Sequence, residues 1–128
     1  MAFAGRFKVK LMLRVLFALI TASLIYSAAA MAETATVGHP EVIDGETVLV
    51  AGQTFRPYGI DAPDIAQTCE IRGRTYNCGR VSMTALMDLV AGVRIRCVPR
   101  RDPATSPILA ACFATGYDLS EGMVHKGW

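Results

Sequence analysis

No pair among the four cysteines of this 128-residue chain has the short spacing of a zinc site, so a metal-stapled fold is not expected. No internal repeat or low-complexity tract follows residue 32, and nothing marks a second domain there. Positive charge is also short where a nucleic-acid partner would need it. Residues 33–128 hold all 11 acidic residues and 9 of the 13 Lys and Arg, a net of −2, so the +2 of the whole chain belongs to its first 32 residues. That balance offers no overall attraction to a phosphate backbone, and binding would rest on a local patch such as Arg94, Arg96, Arg100 and Arg101. The two histidines sit in unpromising places: His39 beside Pro40 in a bend, and His125 in a terminal helix.

The chain opens with a targeting pattern. Arg6, Lys8, Lys10 and Arg14 form a basic region, residues 15–26 an apolar one, and Ala30-Met31-Ala32 a small-x-small cleavage site. A secretory signal peptide is expected over 1–32 and an exported, periplasmic or extracellular, monomeric domain over 33–128, outside the membrane once cleaved. The alternative is an uncleaved anchor, since residues 15–32 are 18 residues without a charge, at the lower limit for spanning a bilayer. Cys69, Cys78, Cys97 and Cys112 all fall in the exported part, where disulfides persist. Four cysteines allow three connectivities. The local pairing is expected: Cys69 with Cys78 closing a polar loop, and Cys97 with Cys112 clamping two successive strands.

Hydrophobic periodicity predicts five strands and two helices. Residues 34–43 read as a strand broken by Gly38-His39-Pro40; 47–50 and 54–60 follow as strands around the turn Ala51-Gly52. Residues 65–77 read as a polar loop. Met83, Leu86, Met87 and Val90 recur at i, i+3, i+4 and i+7, giving an amphipathic helix over 79–90 with the methionines as core filling. The alternation Val93 to Val98 is a half-buried strand with Arg94 and Arg96 facing solvent, and 108–114 is the fifth strand. Asp118-Leu119-Ser120-Glu121 resembles a capping box that opens a short helix ending at Gly127. Tyr58 is expected in the core or on a barrel face, and Trp128 against the barrel end. The order suggests a mainly β domain with helices: a small five-stranded barrel of the oligonucleotide-binding (OB) type with one inserted helix and a short C-terminal helix.

Chemistry concentrates in two acidic clusters, Asp44-Gly45-Glu46 and Asp61-Ala62-Pro63-Asp64, joined by the 47–60 hairpin that carries Arg56. Each alone is a common turn or loop. Together, at neighbouring ends of paired strands, they place Glu46 and Asp61 where both can meet one hard cation, calcium taking roughly 6 to 8 oxygen ligands. Asp64 beside it can take a proton from water, and Arg56 can fork onto a phosphate.

Val42 to Thr47, followed by Phe55-Arg56-Pro57-Tyr58-Gly59-Ile60-Asp61-Ala62-Pro63-Asp64, resembles the opening of the staphylococcal-nuclease-like, or thermonuclease, family. The stretch from Asp118 to Trp128 is similar to that family's helix after the fifth strand, and the cysteine-bearing loop with the Cys-x-Pro at Cys97 resembles its exported branch, which includes proteins named for succinoglycan biosynthesis. The resemblance implies a staphylococcal-nuclease-like OB barrel and calcium-dependent cleavage of DNA and RNA, with single-stranded nucleic acid as partner. The implied metal ligands fall on Glu46, Asp61 and the Ala62 carbonyl, the phosphate-binding arginine on Arg56 and the general base on Asp64.

Three departures bear on activity. Glu46 stands where the family has aspartate, and Asp64 where it has glutamate; a misplacement near 1 Å can cost about 100-fold in rate. Thr105-Ser106-Pro107 stands where the family carries a Tyr-Gly-Arg motif whose arginine steadies the transition state, a loss of roughly 3 kcal/mol or more. Arg100 or Arg101 is the candidate substitute. The chain also stops at Trp128, where the family continues into a third helix, so a smaller core and an exposed apolar patch are expected. Two functions compete: a secreted calcium-dependent nuclease of reduced activity, and a binding module that has lost its chemistry and holds a polymer or protein, with a link to exopolysaccharide biosynthesis. A decayed fragment without function is the third.

Overall fold

The computed structural model describes Arg14 and residues 34–101 and 104–128. The expected signal peptide and its cleavage site lie outside the described residues apart from Arg14. Contacts divide the chain into Met1–Ala32 and Glu33–Trp128, and the second unit is described below. No helix among the described residues is long and apolar enough to cross a membrane.

The domain is mainly β, a curled sheet with two helices. Its elements are β1 (Thr36–Gly38), β2 (Pro40–Asp44), β3 (Thr47–Val50), β4 (Gln53–Pro57), β5 (Cys69–Ile71), β6 (Arg74–Tyr76), α1 (Cys78–Val90), β7 (Ile95–Pro99), β8 (Ile108–Ala114), β9 (Tyr117–Asp118) and α2 (Leu119–His125). Seven strands form the main sheet in the order β1-β7-β8-β4-β3-β2, with β9 paired to β8. All its pairs are antiparallel except β4 with β8.

Local chemistry sets the hairpins. Ala51 and Gly52 both have positive φ, the two-residue turn whose twist matches the flanking strands, with Val50 opposite Gln53. The same turn recurs at Arg72-Gly73 and Thr115-Gly116, where the sequence reading saw none. It therefore missed the β5–β6 hairpin inside the expected 65–77 loop, and with β9 and the division of the first strand the strand count exceeds five. His39 divides β1 from β2, so one expected strand serves both edges of the main sheet.

Alternation along the strands sends one set of side chains inward. Val48, Val50, Phe55, Ile95, Cys97, Ile108, Ala110, Cys112 and Ala114 form the core with Leu86 and Val90 of α1 and Leu119 and Met123 of α2, and Trp128 packs against it. Cys97 and Cys112 are direct register partners on β7 and β8 and form a disulfide inside this core; Cys69 and Cys78 form the second.

The helix starts one residue earlier than expected, capped by the Asn77 side chain accepting from the Arg80 N–H. Its period matches the expectation but its phase does not. The buried face is Cys78, Gly79, Ser82, Ala85, Leu86 and Val90, while Met87 is 48 % exposed. Small residues on that face let α1 lie close against its neighbours, and the larger Met87 is left in solvent. Tyr58 is likewise exposed rather than in the core. At α2, Asp118 caps through the Ser120 N–H, and the helix ends at His125, two residues short of Gly127.

Candidate functional site

The acidic corner is assembled where the β2–β3 turn and the Asp61–Asp64 loop meet beside α1. In the first, the Asp44 carboxylate accepts from the Glu46 N–H at 2.9 Å, closing the turn between β2 and β3 beside a register shift at Val42/Asp44. Gly45 is buried there, and a Cβ on it would fall 2.8 Å from Ser82 Cβ and 2.9 Å from Ala62 Cβ. Only glycine lets α1 and the Asp61–Asp64 loop close over this turn. Glu46 is thereby fixed at the head of β3 with its side chain 14 % exposed.

Both carboxylate oxygens of Glu46 are engaged. Oε2 accepts from the Ala62 N–H at 2.9 Å, and Oε1 forms an ion pair with Arg56 Nη2. The same nitrogen donates to Asp61 Oδ1 at 3.1 Å, with the Asp61 side chain 93 % exposed. The guanidinium therefore stands between the two carboxylates. Charge-assisted bonds of this kind are roughly twice as strong as neutral ones, and the buried arm to Glu46 outweighs the solvated arm to Asp61.

Asp64 lies beyond this triad. Its carbonyl accepts from the Gln67 N–H at 2.8 Å and its N–H donates to Gln67 Oε1 at 3.2 Å, while its exposed carboxylate has no ion-pair partner among the described residues. The Gln67 carbonyl accepts from the Gly79 N–H at 3.2 Å, fastening the loop to α1. A Cβ at Gly79 would overlap the Asp64 carbonyl oxygen, so the helix start and the loop touch backbone to backbone. Sequence reasoning did not identify Gln67, Ser82 or Gly79 as part of the corner; the only signal was a glycine directly after Cys78.

As arranged, both carboxylates of the corner meet one guanidinium. A hard cation needs roughly 6 to 8 oxygens turned toward it. Here Glu46 faces two N–H donors, Ala62 contributes its N–H to that carboxylate, and Asp61 shares the Arg56 nitrogen. Among the described residues no group of three or more His, Cys, Asp and Glu is placed to hold a metal ion.

Of the remaining candidates, Arg94, Arg96, Arg100, Arg101 and Pro107 are all exposed. The Arg100 N–H donates to the Leu109 carbonyl at 2.7 Å, and Leu109 is the parallel partner of Arg56. Arg100 and Arg56 thus flank one β8 residue, their backbones about 10 Å apart at ordinary strand spacing.

Set beside known proteins, the sequence has a relative. The chain resembles a succinoglycan biosynthesis protein. It is 32% identical over 111 residues to succinoglycan biosynthesis protein ExoI of Rhizobium meliloti (strain 1021), across 84% of this chain and 58% of that protein. The chain thus spans less than two thirds of that relative's length. No protein-family model matches the chain.

Proposed function

We propose that this protein is an exported binding module of exopolysaccharide production, in which the curled sheet is an OB barrel, a glycan chain is the ligand and the Glu46–Arg56–Asp61 corner is a structural brace. The double engagement of Glu46 carries this reading. A hydrolase of the thermonuclease type needs that carboxylate turned to a cation, and here its oxygens meet the Ala62 N–H and the Arg56 guanidinium. Pro107 supports the same reading, because it offers no donor where the nuclease pattern has arginine. The similarity to a protein named for succinoglycan biosynthesis supports a glycan as the ligand. Two disulfides support export, since such bonds persist in oxidising compartments.

A second reading, calcium-dependent cleavage of DNA and RNA, draws on one observation: Glu46, Arg56 and Asp61 converge on one corner, with Asp64 three residues further along the loop. It requires Arg56 to leave Glu46 for a phosphate.

One experiment separates the two. The oxidised full chain is assayed for cleavage of single-stranded DNA with calcium and with a chelator, beside its retardation in gels containing soluble glycans. Retardation without cleavage supports the binding module. Chelator-sensitive cleavage that Arg56→Ala abolishes overturns it in favour of the nuclease.

A further inference from the structure

The hairpin β5–β6 takes no part in the core. Every residue from Glu70 to Tyr76 is exposed, with Ile71 at 61 % and Tyr76 at 36 %. An isolated two-stranded hairpin is marginal in water. This one is held at its base by the Cys69–Cys78 disulfide, whose second cysteine is fully buried at the start of α1, and by the Gly79 N–H donating to the Gln67 carbonyl. A rigid projection that buries so little of itself is not explained by folding stability.

Its composition is cationic and aromatic. Arg72 occupies the turn, Arg74 lies opposite Ile71, Tyr76 lies opposite Cys69, and Arg80 follows in the first turn of α1. Register puts Tyr76, Arg74 and Ile71 on one face of the hairpin, and Glu70 with Thr75 on the other. None of the three arginines has a carboxylate within ion-pairing distance among the described residues, where the ion pairs are Arg56 with Glu46 and Asp61, and His125 with Glu121. Three unpaired guanidinium groups against one carboxylate make this segment a positive spot on a unit of net −2.

Resting on the binding-module reading, we infer that this pinned hairpin is the contact for an acid-bearing polysaccharide, with Arg72, Arg74 and Arg80 taking its carboxylates and Tyr76 packing on a sugar ring. Arginine forks match carboxylates in pairs of parallel hydrogen bonds. Tyrosine offers a flat apolar body with a polar tip, suited to the face of a pyranose. Nucleic acid fits less well. Its single strands carry a charge on every nucleotide, and the exposed Asp64 sits in the loop that Gln67 fastens to the helix start beside the hairpin base. A glycan whose acids are separated by neutral sugars avoids that repulsion.

The test uses the oxidised full chain in affinity gels containing hyaluronate, whose carboxylates fall on alternate sugars, neutral dextran or a single-stranded oligonucleotide. Hyaluronate is expected to retard the protein, less so as salt rises, and dextran to leave it unchanged. The triple variant Arg72→Gln/Arg74→Gln/Arg80→Gln is expected to weaken binding roughly 10- to 100-fold, at up to a few-fold per exposed contact, with its melting temperature unchanged. The corresponding triple lysine variant should recover most of the loss. Equal retardation by dextran, unchanged binding of the glutamine variant, or tighter binding of the oligonucleotide overturns the inference. Of these, dextran binding leaves the glycan-module reading standing, whereas failure to bind either polysaccharide removes both.

Discussion

The Ala62 N–H donates to Glu46 Oε2 at 2.9 Å, joining two turns that lie 16 residues apart in the chain. Arg56 holds the other oxygen of the same carboxylate. Glu46 is therefore the keystone of the corner, and its chemistry is internal: it satisfies a backbone donor and a guanidinium at once, leaving neither oxygen turned to solvent chemistry.

Removing Arg56 should destabilise the fold, because it leaves a part-buried carboxylate with one arm unmade. Arg56→Gln is expected to cost about 1–3 kcal/mol, or a fall of about 4–8 °C in melting temperature per kcal/mol in a domain of this size. Asp61→Asn removes only the solvated arm and should leave the melt unchanged. Thermal unfolding of the two variants side by side checks the order.

Gly45→Ala should be disruptive for a different reason. Its Cβ would sit inside contact distance of Ser82 and Ala62 Cβ, forcing α1 or the Asp61–Asp64 loop outward at a cost of roughly 1–3 kcal/mol. Denaturant unfolding measures the loss, and a midpoint equal to that of the parent protein would refute the interlock.

The face of α1 is tested by neighbouring residues. Leu86→Ala opens a cavity in the core and should cost about 2–5 kcal/mol. Met87→Ala, half in solvent, should stay within about 0.5 kcal/mol. Equal effects would show that the helix is rotated from the described phase.

The two disulfides should fail differently. Loss of Cys97–Cys112 through a double alanine variant removes a clamp buried in the core, lowering global stability by about 2–4 kcal/mol. Loss of Cys69–Cys78 frees the exposed hairpin, so trypsin should cut after Arg72 and Arg74 in a Cys69→Ser/Cys78→Ser variant far faster than in the parent. The digestion is followed by mass spectrometry under native conditions.

Calcium should not stabilise the protein. A ligand that binds the folded state raises the melting temperature by mass action, and the Glu46 carboxylate is held by Arg56. A melt unchanged by millimolar calcium is expected; a rise that disappears in Glu46→Gln would restore the metal centre.

Several features were readable from residues alone because they depend on short range. β-Branched and aromatic residues over 47–50 and 54–60 marked β3 and β4, the Ala51-Gly52 turn marked their hairpin, and the period around Leu86 and Val90 marked α1. The local disulfide pairing followed from chain order, since Cys97 and Cys112 stand on adjacent antiparallel strands. Residues Glu46, Arg56 and Asp61 were also named from sequence, because paired strands bring their ends together.

What they do there was decided only by the tertiary fold. Whether a carboxylate meets a cation or an arginine depends on which donors reach it within about 3 Å, and the Ala62 N–H reaches Glu46 only because Gly45 and Gly79 let α1 and the loop close to backbone contact. The phase of α1 was set in the same way: the small side chains of Gly79, Ser82 and Ala85 permit close approach, and so Met87 was turned to solvent although its spacing matched a core position. Periodicity is a property of one segment, whereas close approach is a property of two, and a single chain read in order carries the first and not the second.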